Sequence, residues 1–405
     1  MSRYLLSVLG SKPAFETPLH VGRPNVGDRS TLMRRLDDML DRNWLTNDGP
    51  LVRELEQRIA AYIGVEHCVA MCSATVALEI AIRGAGLTGE VIVPSFTFVA
   101  TAHALQWQEI TPVFCDIDPR THNLDPERVE RMITPRTTGI IGVHLWGRPC
   151  DIERLNAIAD RRNLTLMFDA AHAFGCSHQG QMIGSFGRCE VFSFHATKFL
   201  SSFEGGAIVT NDREFADKLR LMRNFGFAGY DNVIYIGTNG KMTEASAAMG
   251  LTNFDSLDDF VAVNRRNYEA YTNVLGEVPG LSLLTYNRSE RNNYQYIVVE
   301  VDAERFGLDR DELVSVLHAE NVLARRYFYP GVHRMEPYRS FFPHTGLLLP
   351  ETEWLAARVF LLPTGQNIDE KTIGTIGSIL RGAHEAAADI RRALRLRATR
   401  GGVPS

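Results

Sequence analysis

From about residue 67 onward, short apolar runs alternate with stretches in which apolar residues recur every three or four positions. The short runs predict strands and the periodic stretches predict helices. The predicted strands lie in residues 67–73, 90–95, 111–117, 137–147, 164–175, 189–198 and 205–212. The predicted helices lie in residues 74–86, 97–108, 151–163 and 212–226. Strands that alternate with helices form βαβ units, so we predict an α/β fold whose mostly parallel sheet is covered by helices.

The pattern changes after about Asn253, where strands and helices no longer alternate regularly. The elements predicted there are a long helix, a strand and two further helices, in residues 254–278, 294–301, 310–325 and 368–394. This mixture indicates a separate α+β lobe. We therefore predict two domains, an N-terminal segment with a large α/β domain in residues 1–253 and a smaller α+β domain in residues 254–405.

The composition is typical of a soluble globular enzyme. Of the 405 residues, 45% are hydrophobic and 22% are charged, which is enough to build a core for two domains. The net charge of −5 gives no basic footprint for nucleic acid. The first residues are too weakly apolar for a secretory signal and no long apolar run follows, so we expect a cytoplasmic protein without a membrane partner. The six cysteines form no C-x-x-C pair and are expected to be buried free thiols.

Several common active-site motifs are absent from the sequence. There is no G-x-G-x-x-G after the first strand and no G-x-x-x-x-G-K-[ST], which disfavours a Rossmann oxidoreductase and a P-loop enzyme. There is also no H-E-x-x-H and no G-x-S-x-G. Asp169, His172, His144 and His195 could be brought together around a metal ion, but their spacing follows no recurring ligand pattern. We therefore expect no metal site.

Polar side chains cluster where the predicted strands end. They are Ser73, Ser95, Asp169, His172, Ser193 and Lys198. In a parallel sheet the ligand binds outside the carboxyl ends of the strands, so these residues indicate one site.

Lys198 differs from the others because its neighbours in sequence are mostly apolar and no acidic residue follows it before Glu204. Lysine is rarely buried unless it is paired or has chemistry to do. Two interpretations are open. Lys198 is either a solvated loop residue beside an aromatic cluster or a desolvated amine that forms Schiff bases.

Pyridoxal phosphate would use several of these residues at once. The cofactor requires a lysine for its aldehyde, a carboxylate at its pyridine nitrogen, a phosphate cradle and a flat apolar group over its ring. Lys198 can supply the amine, Asp169 the carboxylate and Phe98 the flat group. The helix start at residues 73–75 suits the phosphate, with Ser193 as a further hydroxyl. Each of these residues alone also has an ordinary explanation as a helix cap, a strand end or core packing.

Four stretches of the larger domain form a specific pattern when they are taken in order. They are residues 93–105, 168–175, 192–212 and 238–251. Together they resemble the DegT/DnrJ/EryC1/StrS family, and the resemblance extends from about residue 46 to residue 341. It implies a fold-type I aminotransferase that depends on pyridoxal 5′-phosphate and acts on nucleotide-linked sugars.

The resemblance implies a role for each cofactor-binding residue. Lys198 forms the Schiff base, Asp169 pairs with the pyridine nitrogen, and His172, where many relatives carry glutamine, lies at the ring hydroxyl. The other implied contacts are Ser73, Ala74, Thr75, Phe98 and Ser193, with Asn239 reaching the phosphate from the neighbouring subunit. The active unit is therefore expected to be a homodimer with shared active sites. Two positions depart from the family pattern: Phe203 replaces a glycine and Lys241 replaces an arginine.

The resemblance also implies the substrates. The amino donor is expected to be L-glutamate or glutamine, and the acceptor a nucleotide-linked keto-sugar. Residues 324–339 are similar to relatives that aminate C-4, so we expect dTDP-4-keto-6-deoxy-glucose as the acceptor. The candidate substrate-binding residues are Arg325, Arg326, Tyr327, Tyr329 and His333. Alternatively, the tyrosines pack the lobe and the arginines lie on the surface.

Other functions stay open at this stage. Within the same reaction class, the alternatives are C-3 amination of a 3-keto sugar nucleotide and amination of an inosose. In different classes, they are a sugar dehydratase, which typically has histidine in place of the lysine, and a non-catalytic regulator of the same fold. Lys198 argues against the dehydratase.

Overall fold

The computed structural model describes residues 5–400 of the chain and the side chains of residues 5–396. Its strands are β1 (Leu19–His20), β2 (His67–Met71), β3 (Glu90–Pro94), β4 (Thr111–Cys115), β5 (Thr137–Val143), β6 (Thr165–Asp169), β7 (Ser177–His178), β8 (Gln181–Met182), β9 (Glu190–Ser193), β10 (Gly206–Thr210), β11 (Leu281–Leu283), β12 (Ile297–Val301), β13 (Val322–Leu323) and β14 (Val359–Leu362). Its α-helices are α1 (Arg29–Asp41), α2 (Pro50–Ile63), α3 (Ala74–Gly84), α4 (Ala100–Gln106), α5 (Pro126–Met132), α6 (Ile152–Arg162), α7 (Arg213–Arg223), α8 (Glu244–Phe254), α9 (Leu257–Gly276), α10 (Ala303–Phe306), α11 (Arg310–Ala319), α12 (Tyr338–Phe341), α13 (Pro350–Ala356), α14 (Glu370–Glu385) and α15 (Ala387–Arg400).

The central sheet has seven strands in the order β2-β10-β9-β6-β5-β3-β4. Strand β10 is antiparallel to both of its neighbours, and the other neighbouring pairs are parallel. The predicted α/β fold with a mostly parallel sheet is therefore confirmed. Cys68 and Ala70 of β2 pack in a core with α2, α6 and α8, whereas Val69 and Met71 pack in a core with α3, α4 and α7. Helices thus cover both faces of the sheet.

Strand pairing brings several strand ends to one edge of this sheet. Val143, the last residue of β5, is in register with Asp169, the last residue of β6. Gly206, the first residue of the antiparallel β10, is in register with Ser193 at the end of β9 and with Met71 at the end of β2. The backbone hydrogen bonds of the sheet therefore position most of the polar residues that the sequence groups into one site.

The second lobe is built on the antiparallel sheet β11-β12-β14, and α9, α11, α14 and α15 contribute to its core. Leu6 and Val8 also pack in this core, and Leu19 of β1 pairs with Val322 of β13. The start of the chain thus packs with the second lobe, which differs from the expectation that it belongs with the larger domain. Its partners are distant in sequence, so no local pattern encodes the contact. The boundary at residue 253 stays a prediction.

Helix α8 has no counterpart among the predicted elements, because most of its side chains are buried and it lacks distinct apolar and polar faces. Its first residue, Glu244, reaches the start of α2. There the Glu244 carboxylate accepts hydrogen bonds from the backbone N–H groups of Leu51 (2.9 Å) and Val52 (2.8 Å). First-turn N–H groups have no partner inside their own helix, so this contact stabilises α2 and holds α8 against it.

Three further findings concern the chain as a whole. The single terminal helix predicted over residues 368–394 consists of two helices, α14 and α15, which are interrupted at Ala386 and pack in the same core. All six cysteines are free, and all except the partly exposed Cys72 are buried. Within residues 5–400, no helix combines the length and the apolar character needed to cross a membrane.

Candidate active site

A cavity of about 280 Å³ lies between the second lobe and the polar edge of the central sheet. The part of the protein built on the central sheet is called the first lobe below. Eight of the predicted cofactor-binding residues line it: Ser73, Ala74, Thr75, Phe98, Asp169, His172, Ser193 and Lys198. The wall from the second lobe includes Gln295, Tyr296, Tyr327 and Phe328. Of the residues expected to bind substrate, Tyr327 lines this cavity.

Lys198 lies in the turn that follows β9, where its backbone N–H donates to the carbonyl of His195 at 2.9 Å. Its side chain lines the cavity and is partly buried. Burial lowers the pKa of the amine from its ordinary value of 10.5 to about 8, although the nearby Asp169 carboxylate opposes this shift. A substantial fraction of the amine is therefore neutral close to physiological pH, and only the neutral form can act as a nucleophile or accept a proton.

Asp169 ends β6 and is 6% exposed. Burial raises the pKa of its carboxyl, and two hydrogen bonds and the charge of Lys198 act against this rise. The bonds come from the Thr101 hydroxyl to Oδ2 (2.8 Å) and from the backbone N–H of Ala171 to Oδ1 (3.1 Å). Thr101 lies on α4 and was not among the predicted site residues, because only tertiary packing brings α4 next to β6.

The start of α3 forms an anion-binding geometry. Ser73 is the N-cap of α3, and its hydroxyl accepts the backbone N–H of Val76 at 3.2 Å. The backbone N–H groups of Ala74 and Thr75 have no hydrogen-bond partner among residues 5–400. Gly206 of β10 runs alongside, and a Cβ at this position would lie 2.7 Å from the nitrogen of Ala74. Free donors, the helix dipole and this close approach suit a phosphate group.

Three more predicted residues lie on the first-lobe side of the cavity. His172 is 8% exposed, and its ring stacks on that of Trp146 with centroids 5.6 Å apart. Burial, with a smaller contribution from the charge of Lys198, places the pKa of His172 well below its ordinary value, so the ring is neutral. Ser193 is buried at the end of β9, and Phe98 is 57% exposed where it lines the cavity. An exposed aromatic side chain at a cavity is available to cover a flat ligand.

The predicted substrate residues of the second lobe are not brought together. Tyr327 lines the cavity, and the guanidinium of Arg325 lies 4.9 Å from the centroid of its ring. Arg326 instead forms an ion pair with Asp311 at 3.0 Å and lies over the ring of Tyr329, which does not line the cavity. The Asp311 carboxylate therefore holds Arg326 outside the cavity, and the role expected for Arg326 in the sugar-nucleotide site stays a prediction.

His333 and Asn239 also lie outside the cavity. His333 is 2% exposed, with Nδ1 at 2.7 Å from the hydroxyl of Ser95 and Nε2 at 2.8 Å from Oε1 of Glu353. Both ring nitrogens thus have partners inside the protein, and the role expected for His333 in the sugar-nucleotide site stays a prediction. Asn239 is exposed at the surface and makes no contribution to the cavity of its own chain.

The cavity also contains residues that sequence reasoning left without a role. His195, Thr197 and Glu204 line it: Nδ1 of His195 is 2.8 Å from the Thr197 hydroxyl, and its Nε2 is 3.6 Å from the Glu204 carboxylate. All three lie close to Lys198 in sequence, and this proximity was the available signal. Among the described residues, no group of three or more histidine, cysteine, aspartate or glutamate side chains is arranged to hold a metal ion.

Known proteins resemble this chain over most of its length. The model of the DegT/DnrJ/EryC1/StrS aminotransferase family matches residues 27–381. The dTDP-4-amino-4,6-dideoxy-D-glucose transaminase of Shigella dysenteriae is 36% identical over 366 residues, which cover 90% of this chain and 99% of that protein. The GDP-perosamine synthase of Caulobacter vibrioides is 35% identical over 305 residues, covering 74% of this chain and 82% of that protein.

Solved structures give the same result. The crystal structure of DesI in the presence of its TDP-sugar product superposes with a TM-score of 0.91 at 50% identity, and the match covers 97% of this chain and 99% of that one. The amine, the carboxylate and the free backbone donors thus lie in one cavity of a fold that these enzymes share. The chain belongs to the DegT/DnrJ/EryC1/StrS aminotransferase family, and it is a transaminase.

Proposed function

We propose that this transaminase binds pyridoxal 5′-phosphate and transfers an amino group from L-glutamate or glutamine to C-4 of dTDP-4-keto-6-deoxy-glucose. The main support is that one cavity contains an amine with a pKa of about 8, a buried carboxylate and two free backbone N–H donors at a helix start. These groups match the aldehyde, the pyridine nitrogen and the phosphate of the cofactor.

The residues present fit this cofactor. Pyridoxal phosphate supplies, when bound, an aldehyde carbon for amines and an electron-withdrawing ring that stabilises negative charge on the adjacent carbon. Lys198 is the group that holds and moves the proton, because its lowered pKa lets its Nζ accept a proton and return it near physiological pH. Asp169, fixed by Thr101, presents a carboxylate for the pyridine nitrogen. Ala74, Thr75 and the hydroxyl of Ser193 bind the phosphate.

The nature of the acceptor rests on the relatives and on the second lobe. Two of the relatives described above are named for a dTDP-sugar or were solved with a TDP-sugar product. In this chain, Tyr327 lines the cavity and the exposed Arg325 lies over its ring, so an aromatic side chain and a cation lie close together beside the cavity. We assign Arg325 and Tyr327 to substrate binding.

We further propose that the active unit is a homodimer. The segment between residues 225 and 236 exposes large apolar side chains, namely Phe225, Phe227, Tyr230, Val233, Ile234, Tyr235 and Ile236. Exposed apolar clusters of this kind commonly mark interaction surfaces. Asn239 follows this segment directly and is exposed, so it is free to contribute to the cavity of a second subunit.

Absorbance spectroscopy tests the reaction. Purified protein with added pyridoxal phosphate should show the band of the bound cofactor, which should disappear with L-glutamate and return with dTDP-4-keto-6-deoxy-glucose. A band that never forms would overturn the cofactor assignment. A band that responds to glutamate but returns only with a 3-keto sugar nucleotide or an inosose would overturn the choice of acceptor and leave the reaction class in place.

Mixed subunits test the dimer. Lys198→Ala and Asn239→Ala proteins should each be weakly active, and mixing them after mild dissociation should restore part of the activity, because one of the two sites in a mixed dimer regains both residues. The matched control is Lys198→Ala mixed with itself. Monomers that are fully active at all concentrations in light scattering would contradict the shared site.

A further inference from the structure

A row of hydrogen-bonded residues connects the cavity to the second lobe. It begins at His172, which lines the cavity, and passes through Trp146 and His122 to Glu300 on β12. The side chains of Trp146 and His122 are fully buried, and that of Glu300 is 28% exposed. The functions described above do not use these last three residues.

The direction of each hydrogen bond follows from its donor. The backbone N–H of Trp146 approaches Nδ1 of His172 at 3.3 Å, and the indole N–H of Trp146 approaches Nδ1 of His122 at 3.1 Å. A backbone N–H and an indole N–H can only donate, so both Nδ1 atoms are acceptors and carry no proton. Both histidines have pKa values lowered mainly by burial, so each is neutral and carries its proton on Nε2.

The Nε2–H groups of His122 and His172 differ in their hydrogen-bond partners. Nε2 of His122 lies 3.1 Å from Oε1 of Glu300, which therefore fixes the His122 tautomer from the second lobe. Nε2 of His172 has no hydrogen-bond partner among the described residues, and the His172 side chain lines the cavity. One donor thus remains free for a ligand.

Trp146 has an uncommon backbone conformation and a closely packed ring. Its φ of 61° lies in the left-handed region, which is uncommon for a bulky residue. Its ring stacks between those of His172 and Phe328, with centroid distances of 5.6 Å and 5.2 Å. The indole bond to His122 is the only polar contact of this ring among the described residues. The bond therefore ties the position of the ring, and with it the backbone N–H that meets His172, to the pair formed by His122 and Glu300.

We propose that Glu300, His122 and Trp146 are positioning residues that hold His172 as a hydrogen-bond donor toward the cofactor cavity. The proposal rests on the proposed function, because the acceptor is the oxygen-bearing edge of bound pyridoxal phosphate. A donor at this place would be lost if His172 changed its tautomer. The contribution of Glu300 also means that a second-lobe residue outside the cavity takes part in cofactor binding.

Two measurements test the proposal. In protein labelled with ¹⁵N-histidine and free of cofactor, the nitrogen resonances of His172, assigned with His172→Asn, report which ring nitrogen carries the proton. The dissociation constant of pyridoxal phosphate, from fluorescence quenching, reports the consequence. Trp146→Phe removes the indole donor and keeps an aromatic ring, Glu300→Leu removes the acceptor, and Glu300→Gln keeps an acceptor. Trp107→Phe, at a side chain that is 81% exposed, is the matched control.

We expect wild type, Glu300→Gln and Trp107→Phe to show His172 protonated at Nε2. Trp146→Phe and Glu300→Leu should show a mixture of tautomers and bind the cofactor about five- to tenfold more weakly, which is the size of one neutral hydrogen bond. If both variants keep the wild-type tautomer and affinity, the proposal is overturned. An equal loss of cofactor affinity in Glu300→Gln and Glu300→Leu would also overturn it. The loss would then be caused by removing the charge of Glu300 and not by removing its hydrogen bond. Wild-type protein that binds no pyridoxal phosphate would refute the proposed function instead, and the tautomers would still be measurable.

Discussion

The two sides of the cavity are built by different means. On the first-lobe side, Asp169 and Ser193 end strands of the central sheet and Lys198 follows closely, so hydrogen bonds between strands set their positions. On the second-lobe side, neighbouring residues of one loop point to different places: Tyr327 lines the cavity, whereas Tyr329 does not. The comparison teaches that a strand end predicts the position of a side chain much better than a place in a conspicuous loop does.

The largest effect on activity is expected on the first-lobe side, where the strands of the sheet set the positions of the side chains. Lys198→Ala removes the amine that accepts and returns the proton, so amine transfer should fall by roughly 10³-fold, within the range for general acid–base catalysis. Steady-state rates with L-glutamate and the dTDP-keto-sugar measure it. Lys218→Ala is the control, since the Lys218 amine donates to the carbonyl of Gly84 and lies outside the cavity. A Lys198→Ala enzyme as fast as the control would remove Lys198 from the mechanism.

The next effect concerns the pH at which Lys198 reacts. Only the neutral amine is nucleophilic, so acylation of Lys198 in cofactor-free protein should increase with pH and reach half its maximum near pH 8 rather than near the ordinary 10.5. Asp169→Asn should move this midpoint lower still, because the Asp169 carboxylate favours the charged amine and raises its pKa. Mass spectrometry of the Lys198 peptide measures the reaction. A midpoint that rises in Asp169→Asn would contradict this sign.

Two adjacent arginines test the second-lobe side of the cavity, because they are expected to differ in their effect on KM. Arg325→Ala should raise KM for the sugar nucleotide about tenfold with little change in kcat, the size expected for losing one charged hydrogen bond. Arg326→Ala should change KM by less than about twofold, because Arg326 is paired with Asp311 at the surface. Equal increases in KM for both variants would show that the loop turns differently when substrate binds.

The smallest effect on activity is expected for His333. His333→Leu removes the ring contacts with Ser95 and Glu353, so the free energy of unfolding should fall by about 1–3 kcal/mol, although Glu353 keeps its ion pair with Arg334. KM should stay unchanged because His333 does not line the cavity. Urea denaturation and steady-state kinetics measure the two quantities. A raised KM in a fully stable variant would return His333 to the substrate site.

Much of the fold could be predicted from the chain, and the exceptions have physical causes. The strands from β2 to β10 of the central sheet follow short apolar runs, and α6 and α7 begin after Asp151 and Asp212, each of which caps its helix as its sequence pattern indicates. Helix α8 was not predicted, because it is buried on almost all sides and shows no helical alternation of apolar and polar residues. The pairing of β1 with β13 joins segments that are far apart in the sequence and leaves no local pattern.

The sequence by itself determined the class of the fold and the identity of the residues with distinctive chemistry, such as Lys198 and Asp169. These follow from local periodicity and from the rarity of a lysine among apolar neighbours. Only the tertiary structure decided what orients those residues. Thr101 meets Asp169, and Glu300 reaches His172 through two intermediaries, because helices and lobes distant in sequence pack together. Hydrogen bonds across such contacts depend on the relative placement of whole elements, which a local pattern does not contain.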